Sequence, residues 1–413
     1  MATSKKFYIE TLGCQMNVLD SELAAAALVQ AGMLAVDRAY DADIVLFNTC
    51  SVRKHAEDKV YSALGRLKDW KKTNPGGILG VMGCMAQKEQ KLIFQLAPNV
   101  DFVLGPGRLD SLVEMIDQAE TGRKPDRSSS RLICVSLDRT AHRHTDVLDS
   151  FRQHNPDRVL SPGMPLDTVP LDTDTVCVPD RPSGHGESPT LVRITFGCDQ
   201  FCSYCIVPFV RGPEQSRPPK DIFGEVQHLA RQGISKITLI GQAVNSYQHT
   251  DGEKQTHLAD LLYYISDIAG IEQIDFVTNY PRIGDDLLKA VRDLPKVLKH
   301  FHVPAQSGSD TVLKRMNRHY TAAYYREMVD RIYGTIPGST ITSDFIVGFC
   351  GETDADFEQT VDLVKYCKFR NSFIFKYSER AGTKAAELYA DDVPDDVKRE
   401  RNNRLLAVQK ESG

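Results

Sequence analysis

A chain of 413 residues exceeds what one ordinary core holds, so two or three domains are expected. Hydrophobic residues make up 41% and charged residues 25%, the balance of a globular protein, and no run approaches the ~18–20 apolar residues of a membrane helix. A net charge of -5 excludes a chain that is basic overall, while leaving room for a local basic surface that holds phosphates.

The chain opens on MATSKKFYIETLGC, which runs into a strand-like stretch with no signal-peptide apolar region. A cytoplasmic protein with no membrane association is expected. In a reducing compartment, ten cysteines point to buried thiols, catalytic thiols or metal ligands rather than disulfides.

Up to residue 120 the pattern alternates strand and helix. Phe7–Leu12, Ile44–Phe47, Ile78–Met82 and Val100–Leu104 read as buried parallel strands. Ser21–Ala31, capped by Asp20 or Ser21, then Val52–Trp70, Met85–Leu96 and Leu109–Ala119 read as helices. Repeated βα units predict an open parallel α/β sheet over 1–120. Residues 121–189 are crowded with Pro, Ser, Thr, Asp and His, and read as a linker or insertion with one strand at Arg131–Leu137. Its His142, His144, His154 and His185 read as solvated polar residues.

From 190 to 413 the rhythm returns. Strands are expected at Leu191–Phe196, Lys236–Ile240, Gln273–Thr278, His300–Pro304, Thr342–Val347 and Ser372–Tyr377. Helices such as Asp221–Gln232, His257–Ala269, Ala322–Gly334 and Asp354–Cys367 fall between them, and Val393–Lys410 is a charged terminal helix. Six βα units predict a partial TIM-like barrel, a (β/α)6 arrangement with its site at the C-terminal strand ends.

Two cysteine constellations stand out. Cys198, Cys202 and Cys205 form C-x3-C-x2-C just after a strand. Three thiolates on a 4Fe-4S cubane leave one iron open, and an open iron can chelate S-adenosylmethionine and reduce its sulfonium to give a 5′-deoxyadenosyl radical. A zinc knuckle is the rival, but zinc commonly takes four ligands and no second close pair is nearby. The other set is Cys14, Cys50 and Cys84, one after each of the first three strands, which in a parallel sheet share one edge. Gly13 and Gly83 permit close backbone approach there. This set suits a second three-cysteine cluster. Cys134, Cys177, Cys350 and Cys367 show no such pattern and read as buried thiols.

Taken together, LGCQMNVLDSE, NTCSVRKHAEDK, GCMAQ, FGCDQFCSYCIVPFVRGPEQSR, LIGQAVNSY, HVPAQSGSDTVLKRMNRHYT, DFIVGFCGETDADFEQT and FKYSERAGTKAA resemble the radical-SAM methylthiotransferase family. The resemblance covers nearly the whole chain outside 121–189. Gln15–Met16–Asn17 and Ser51–Val52–Arg53 look like the branch that acts on isopentenylated adenosine. Three departures stand against it, the first being the Pro-rich insert at 121–189. Cys350 replaces the proline of the family's GFPGET, and the C-terminal RNA-binding TRAM module that members normally carry is expected to be absent after RNNRLLAVQKESG.

The resemblance implies methylthiolation of carbon 2 of N6-dimethylallyladenosine next to the anticodon of tRNA. One cluster, on Cys198, Cys202 and Cys205, cleaves SAM; the auxiliary cluster, on Cys14, Cys50 and Cys84, delivers sulfur; a second SAM supplies the methyl group. It also implies an electron donor such as flavodoxin or ferredoxin and a sulfur source, with the chain acting as a monomer. For SAM, the candidate contacts are Tyr204, Gly241, Gln242, Asn245, Gln306 and Ser307; packing, capping and turn formation are the equal alternatives. For RNA phosphates the candidates are Arg53, Lys54, Lys71, Lys72, Arg211, Arg217, Arg315, Arg318 and His319, with solvated surface charge as the alternative. Two rival functions remain: a methylthiotransferase for another substrate (threonylcarbamoyl-adenosine or a ribosomal-protein side chain), and a non-catalytic iron–sulfur RNA-binding protein.

Overall fold

The computed structural model describes residues 4–51, 54–122, 131–137 and 189–412. The expected insertion and its histidines, together with Cys177, therefore lie largely outside the described residues. The chain divides into two compact units. Unit 1 takes in the described part of Met1–Arg158 together with Ile206–Gln215, and unit 2 the described part of Val159–Cys205 together with Ser216–Gly413.

Unit 1 is a parallel sheet in the order β2-β1-β3-β4-β5-β6, with β1 Lys6–Leu12, β2 Leu34–Ala35, β3 Ile44–Thr49, β4 Ile78–Gly83, β5 Phe102–Leu104 and β6 Leu132–Cys134. Every residue of β3 and β4 is buried, which is why their sequences read as continuous apolar runs rather than alternating ones. Helices α1 Gln15–Gln30, α2 Lys54–Thr73, α3 Cys84–Glu89, α4 Lys91–Leu96 and α5 Leu112–Thr121 alternate with the strands. Val45, Phe47, Leu64, Trp70, Val81 and Val103 are among the residues of its buried core.

Two helices depart from the expected bounds. α1 begins at Gln15, not Ser21, because Cys14 itself occupies the N-cap position in extended conformation (φ -89°, ψ 178°). The single helix expected over Met85–Leu96 is broken at Gln90, which sits at φ 43°. No glycine or proline marks that break, so pattern alone passes over it.

Unit 2 carries six parallel strands in two groups of three. Thr190–Arg193, Lys236–Ile240 and Gln273–Phe276 form one, with Lys236–Ile240 in the middle. His300–His302, Thr340–Val347 and Asn371–Lys376 form the other, with Thr340–Val347 in the middle. The bridge Ile274–Val297 and the contact of the Phe276 and Phe301 rings, 5.9 Å between centroids, join the groups into one arc. This is the expected partial barrel. Ile237, Leu239, Ile274, Phe301, Ile341 and Phe345 join helix residues such as Leu262 and Val329 in one buried core. An antiparallel hairpin, Gln248–Asp251 with Lys254–His257, is an addition the sequence pattern did not announce.

Candidate functional site: two cysteine trios

Strand register places the first trio. Leu12 pairs with Thr49 and Thr49 with Gly83, so β1, β3 and β4 end in one row. Cys14, Cys50 and Cys84 follow that row by one or two residues. The Cys50 amide donates to the Leu12 carbonyl at 3.0 Å, which holds two of the strand ends together.

A buried amide network fixes the same edge. Asn17 Nδ2 donates to Asn48 Oδ1 at 2.9 Å, and Asn48 Nδ2 donates to the Asn17 carbonyl at 2.8 Å and to Ser21 Oγ at 2.9 Å. Asn17 Oδ1 in turn accepts from the Cys14 amide at 3.3 Å. Neither asparagine side chain reaches solvent. Gly83 sits at φ +95°, and a Cβ there would collide with Asn48 Oδ1 and lie 2.8 Å from the Thr49 carbonyl oxygen. Gly83 is thus required both by its dihedral and by the approach of β3.

Cys50 and Cys84 are buried and Cys14 is exposed. The Cys14 thiol is pulled down to about 6, first by its hydrogen bond with Cys50 and also by the charge of Arg211. Burial pushes Cys84 up, and Arg211 opposes that shift. Arg211 lies on α6, Val207–Arg211, within unit 1. Its Nε donates to Cys84 Sγ at 3.1 Å and its Nη2 meets Asp20 Oδ2 at 2.7 Å.

The second trio lies in a loop of unit 2 clamped from several sides. Gly197, at φ +74°, donates its amide to Gln242 Oε1 at 2.9 Å. The Cys205 amide donates to the Cys202 carbonyl at 2.9 Å, and Ser203 bonds the Met316 and Arg315 carbonyls at 2.9 and 2.8 Å. Asn317 Nδ2 holds the Phe201 carbonyl at 3.0 Å, and Arg318 Nη1 donates to Cys202 Sγ at 3.3 Å. Cys198 and Cys202 are buried and Cys205 is half-buried.

Among the SAM candidates, Gln242 positions the cysteine loop through Gly197. Asn245 Nδ2 ties down the carbonyls of Tyr280 and Arg282 at 2.6 and 3.1 Å. A Cβ on Gly241 would strike Thr195 Oγ1 and lie 2.9 Å from its carbonyl oxygen, so close packing accounts for this glycine. Gln306, at φ 67°, bridges to Phe345 through its backbone, and Ser307 Oγ shares a bond with Thr360 Oγ1 at 3.2 Å. Tyr204 packs against the cluster of Val312, Met316, Phe349, Cys350 and Tyr377. Burial first, then the charge of Cys202, drives its phenol well above the usual range, against the opposing charge of Arg318.

The phosphate candidates need correction. Arg211, Arg217 and Arg318 are not surface cations. Arg211 is paired with Asp20, Arg217 with Glu225 at 2.7 Å, and Arg318 is 5% exposed on Cys202, Tyr320 and the Pro304 carbonyl. Each is desolvated and engaged by neighbours within the protein, which removes it from the solvent-facing set. Lys71 is held by Asp101 and the Gly77 carbonyl, and Arg315 Nη1 donates to the Cys350 carbonyl at 2.9 Å. Lys72 and His319 remain exposed. Arg53 and the side chain of Lys54 lie outside the described residues.

The donor chemistry fits two iron–sulfur clusters. None of the nine described cysteines is disulfide-bonded. Each trio has a buried guanidinium N–H on one of its sulfurs, as an anionic sulfur requires. Among the described residues no three His, Cys, Asp or Glu side chains converge as the ligands of a single ion do. From sequence the two buried arginines were read as phosphate contacts and not as partners of cysteine sulfur, and the pairing of Asn17 with Asn48 was not foreseen. A polar Asn17 and Asn48 flanking two of the cysteines was the one available signal.

The family described as Uncharacterized protein family UPF0004 matches residues 6–105, and the Radical SAM superfamily matches residues 192–364. A tRNA-2-methylthio-N(6)-dimethylallyladenosine synthase of Rhodopirellula baltica is 49% identical over 410 residues, covering 99% of this chain and 80% of the relative. One of Alkalilimnicola ehrlichii is 42% identical over 404 residues, covering 97% and 81%. Among solved structures, the radical S-adenosylmethionine methyltransferase TsrM of Kitasatospora setae, with cobalamin and a [4Fe-4S] cluster bound, superposes with TM-score 0.57 at 13% identity over 93% of this chain and 77% of that one. That likeness speaks to the fold alone. With the two relatives' identity and coverage, the chain belongs to the tRNA-2-methylthio-N(6)-dimethylallyladenosine synthase family of radical SAM enzymes.

Proposed function

We infer that this enzyme installs a methylthio group on carbon 2 of N6-dimethylallyladenosine in tRNA, with Cys198, Cys202 and Cys205 holding the cluster that binds SAM and Cys14, Cys50 and Cys84 holding the auxiliary one. The observation that carries the reading is the shared row Leu12–Thr49–Gly83, which gathers one cysteine trio in a chain that also carries a C-x3-C-x2-C loop. When bound, the two 4Fe-4S clusters supply reductive cleavage of SAM and a sulfur-bearing open iron.

The protein's own residues hold and orient. Asn17 and Asn48 lock the first cysteine edge, and the turn Arg315–Arg318 locks the second cysteine loop. Gln242 anchors the residue before Cys198. The base to be modified has to leave its stack, which in an anticodon loop costs less than the few kcal/mol of duplex eversion. Reduction calls for an electron donor of the flavodoxin or ferredoxin type, and repeated turnover for a sulfur source. No helix among the described residues is long and apolar enough to cross a membrane.

The test is expression in a bacterial strain that makes N6-dimethylallyladenosine but lacks its methylthio derivative, followed by mass analysis of tRNA nucleosides. Appearance of 2-methylthio-N6-dimethylallyladenosine is expected. Unchanged tRNA together with a methylthiolated ribosomal protein would transfer the chemistry to the rival substrate.

A further inference from the structure

We propose that Arg211 is a positioning residue that sets the reduction potential of the cluster held by Cys14, Cys50 and Cys84, with Asp20 as its counter-charge. The inference rests on the reading that this trio holds a cluster.

The segment that delivers Arg211 is short. α6 packs Ile206 and Val210 on Cys84, and these three residues form a small apolar cluster of their own. The guanidinium at its end is 1% exposed. A buried charge of this kind is costly unless it is answered on several sides. Asp20, itself fully buried, answers one side at 2.7 Å. The Nε–H is aimed elsewhere, at Cys84 Sγ, 3.1 Å away. Asp20 lies on α1, the helix that Cys14 caps. One guanidinium thus touches the third cysteine directly and the helix of the first cysteine through its carboxylate.

An ion pair that served packing alone would have no need of a donor pointed at a ligand sulfur. Hydrogen bonds to sulfur and local net charge are two of the quantities that set iron–sulfur potentials. A donor on the sulfur, with positive charge behind it, stabilises the reduced cluster. A carboxylate beside that charge partly cancels the effect. Removing Arg211 and neutralising Asp20 must therefore move the potential in opposite directions, a signature that general loosening of the fold does not produce.

The experiment uses the full-length chain carrying Cys202→Ala, reconstituted anaerobically with iron and sulfide, so that the remaining cubane belongs to the first trio. Its midpoint is read by potentiometric titration followed by EPR. Arg211→Met is expected to shift the midpoint to more negative values, Asp20→Asn to more positive values, and Arg211→Lys to lie between Arg211→Met and the parent. Equal midpoints, or shifts of one sign in Arg211→Met and Asp20→Asn, overturn the proposal. If Arg211→Met does not fold, Arg211→Lys against Asp20→Asn carries the same test of sign. A Cys202→Ala chain that holds no four-iron cluster at all refutes the assignment of the trio itself, an outcome distinct from a cluster whose potential ignores Arg211.

Discussion

Arg318 donates from Nη1 to Cys202 Sγ at 3.3 Å while its guanidinium carbon stands 4.4 Å from the centre of the Tyr280 ring. Tyr320 flanks it as well, at 5.1 Å, and accepts from its Nε at 3.0 Å. The arginine thus lies close to two mutually perpendicular tyrosine rings and is aimed at a ligand sulfur. Partners that orient metal ligands commonly contribute about 10–100-fold to metal affinity or activity. Arg318→Met is expected to lower 5′-deoxyadenosine formation from SAM by about that factor. Iron content and 5′-deoxyadenosine yield, read together, check this, and an unchanged yield would reduce Arg318 to a packing element.

Asn48, fully buried, bonds both Asn17 and Ser21. Its truncation leaves buried partners unpaired, each at a cost of about 1–3 kcal/mol. Asn48→Ala should therefore lower unfolding stability by that order and halve the iron bound, with loss confined to the first trio. Iron analysis beside a denaturant melt separates the two effects. Full iron content with a lowered melt would limit Asn48 to stability.

The two trios should separate by function. Cys202→Ala is expected to abolish 5′-deoxyadenosine formation. Cys50→Ala is expected to retain SAM cleavage and to yield no methylthiolated tRNA. Methylthiolated product from the Cys50→Ala chain would remove the first trio from sulfur delivery.

His300 gives a pH signature in unit 2. Its ring nitrogens face Thr340 Oγ1 at 2.9 Å and Thr342 Oγ1 at 3.3 Å, partners that suit a neutral imidazole. Burial first, then the charges of His302 and Arg370, pull its pKa from 6.5 to about 4. The unfolded chain therefore binds the proton before the folded one does. The associated stability is present above pH 6.5 and is lost as pH falls through the interval down to about 4. His300→Gln should flatten the stability profile across that interval, as measured by denaturation midpoints at stepped pH. An unaltered acid limb would place its origin elsewhere.

Much of the cysteine geometry was legible because a parallel sheet converts position after a strand into position in space. Cys14, Cys50 and Cys84 each follow an apolar run, and the strand register brings those run ends level. The barrel strands were legible for the same reason: buried parallel strands write themselves as short apolar segments. Arg211 and Arg318 were not. Each reaches a sulfur more than a hundred residues away in the chain, and nothing local distinguishes a buried arginine from a solvated one. Reading both as phosphate contacts followed from charge alone. The start of α1 was misplaced because cap preference favours Asp20 or Ser21, whereas the structure puts Cys14 there, steadied by Asn17. The break at Gln90 carries no turn residue to announce it.

The most direct test of the account is the iron and acid-labile sulfide content of the anaerobically prepared full chain, read together with its EPR spectrum. Two three-thiolate cubanes predict about eight irons per chain and two distinguishable four-iron signals, one of them lost in Cys202→Ala and the other in Cys50→Ala. A chain that saturates at about four irons, with its single signal untouched by Cys50→Ala, would contradict it.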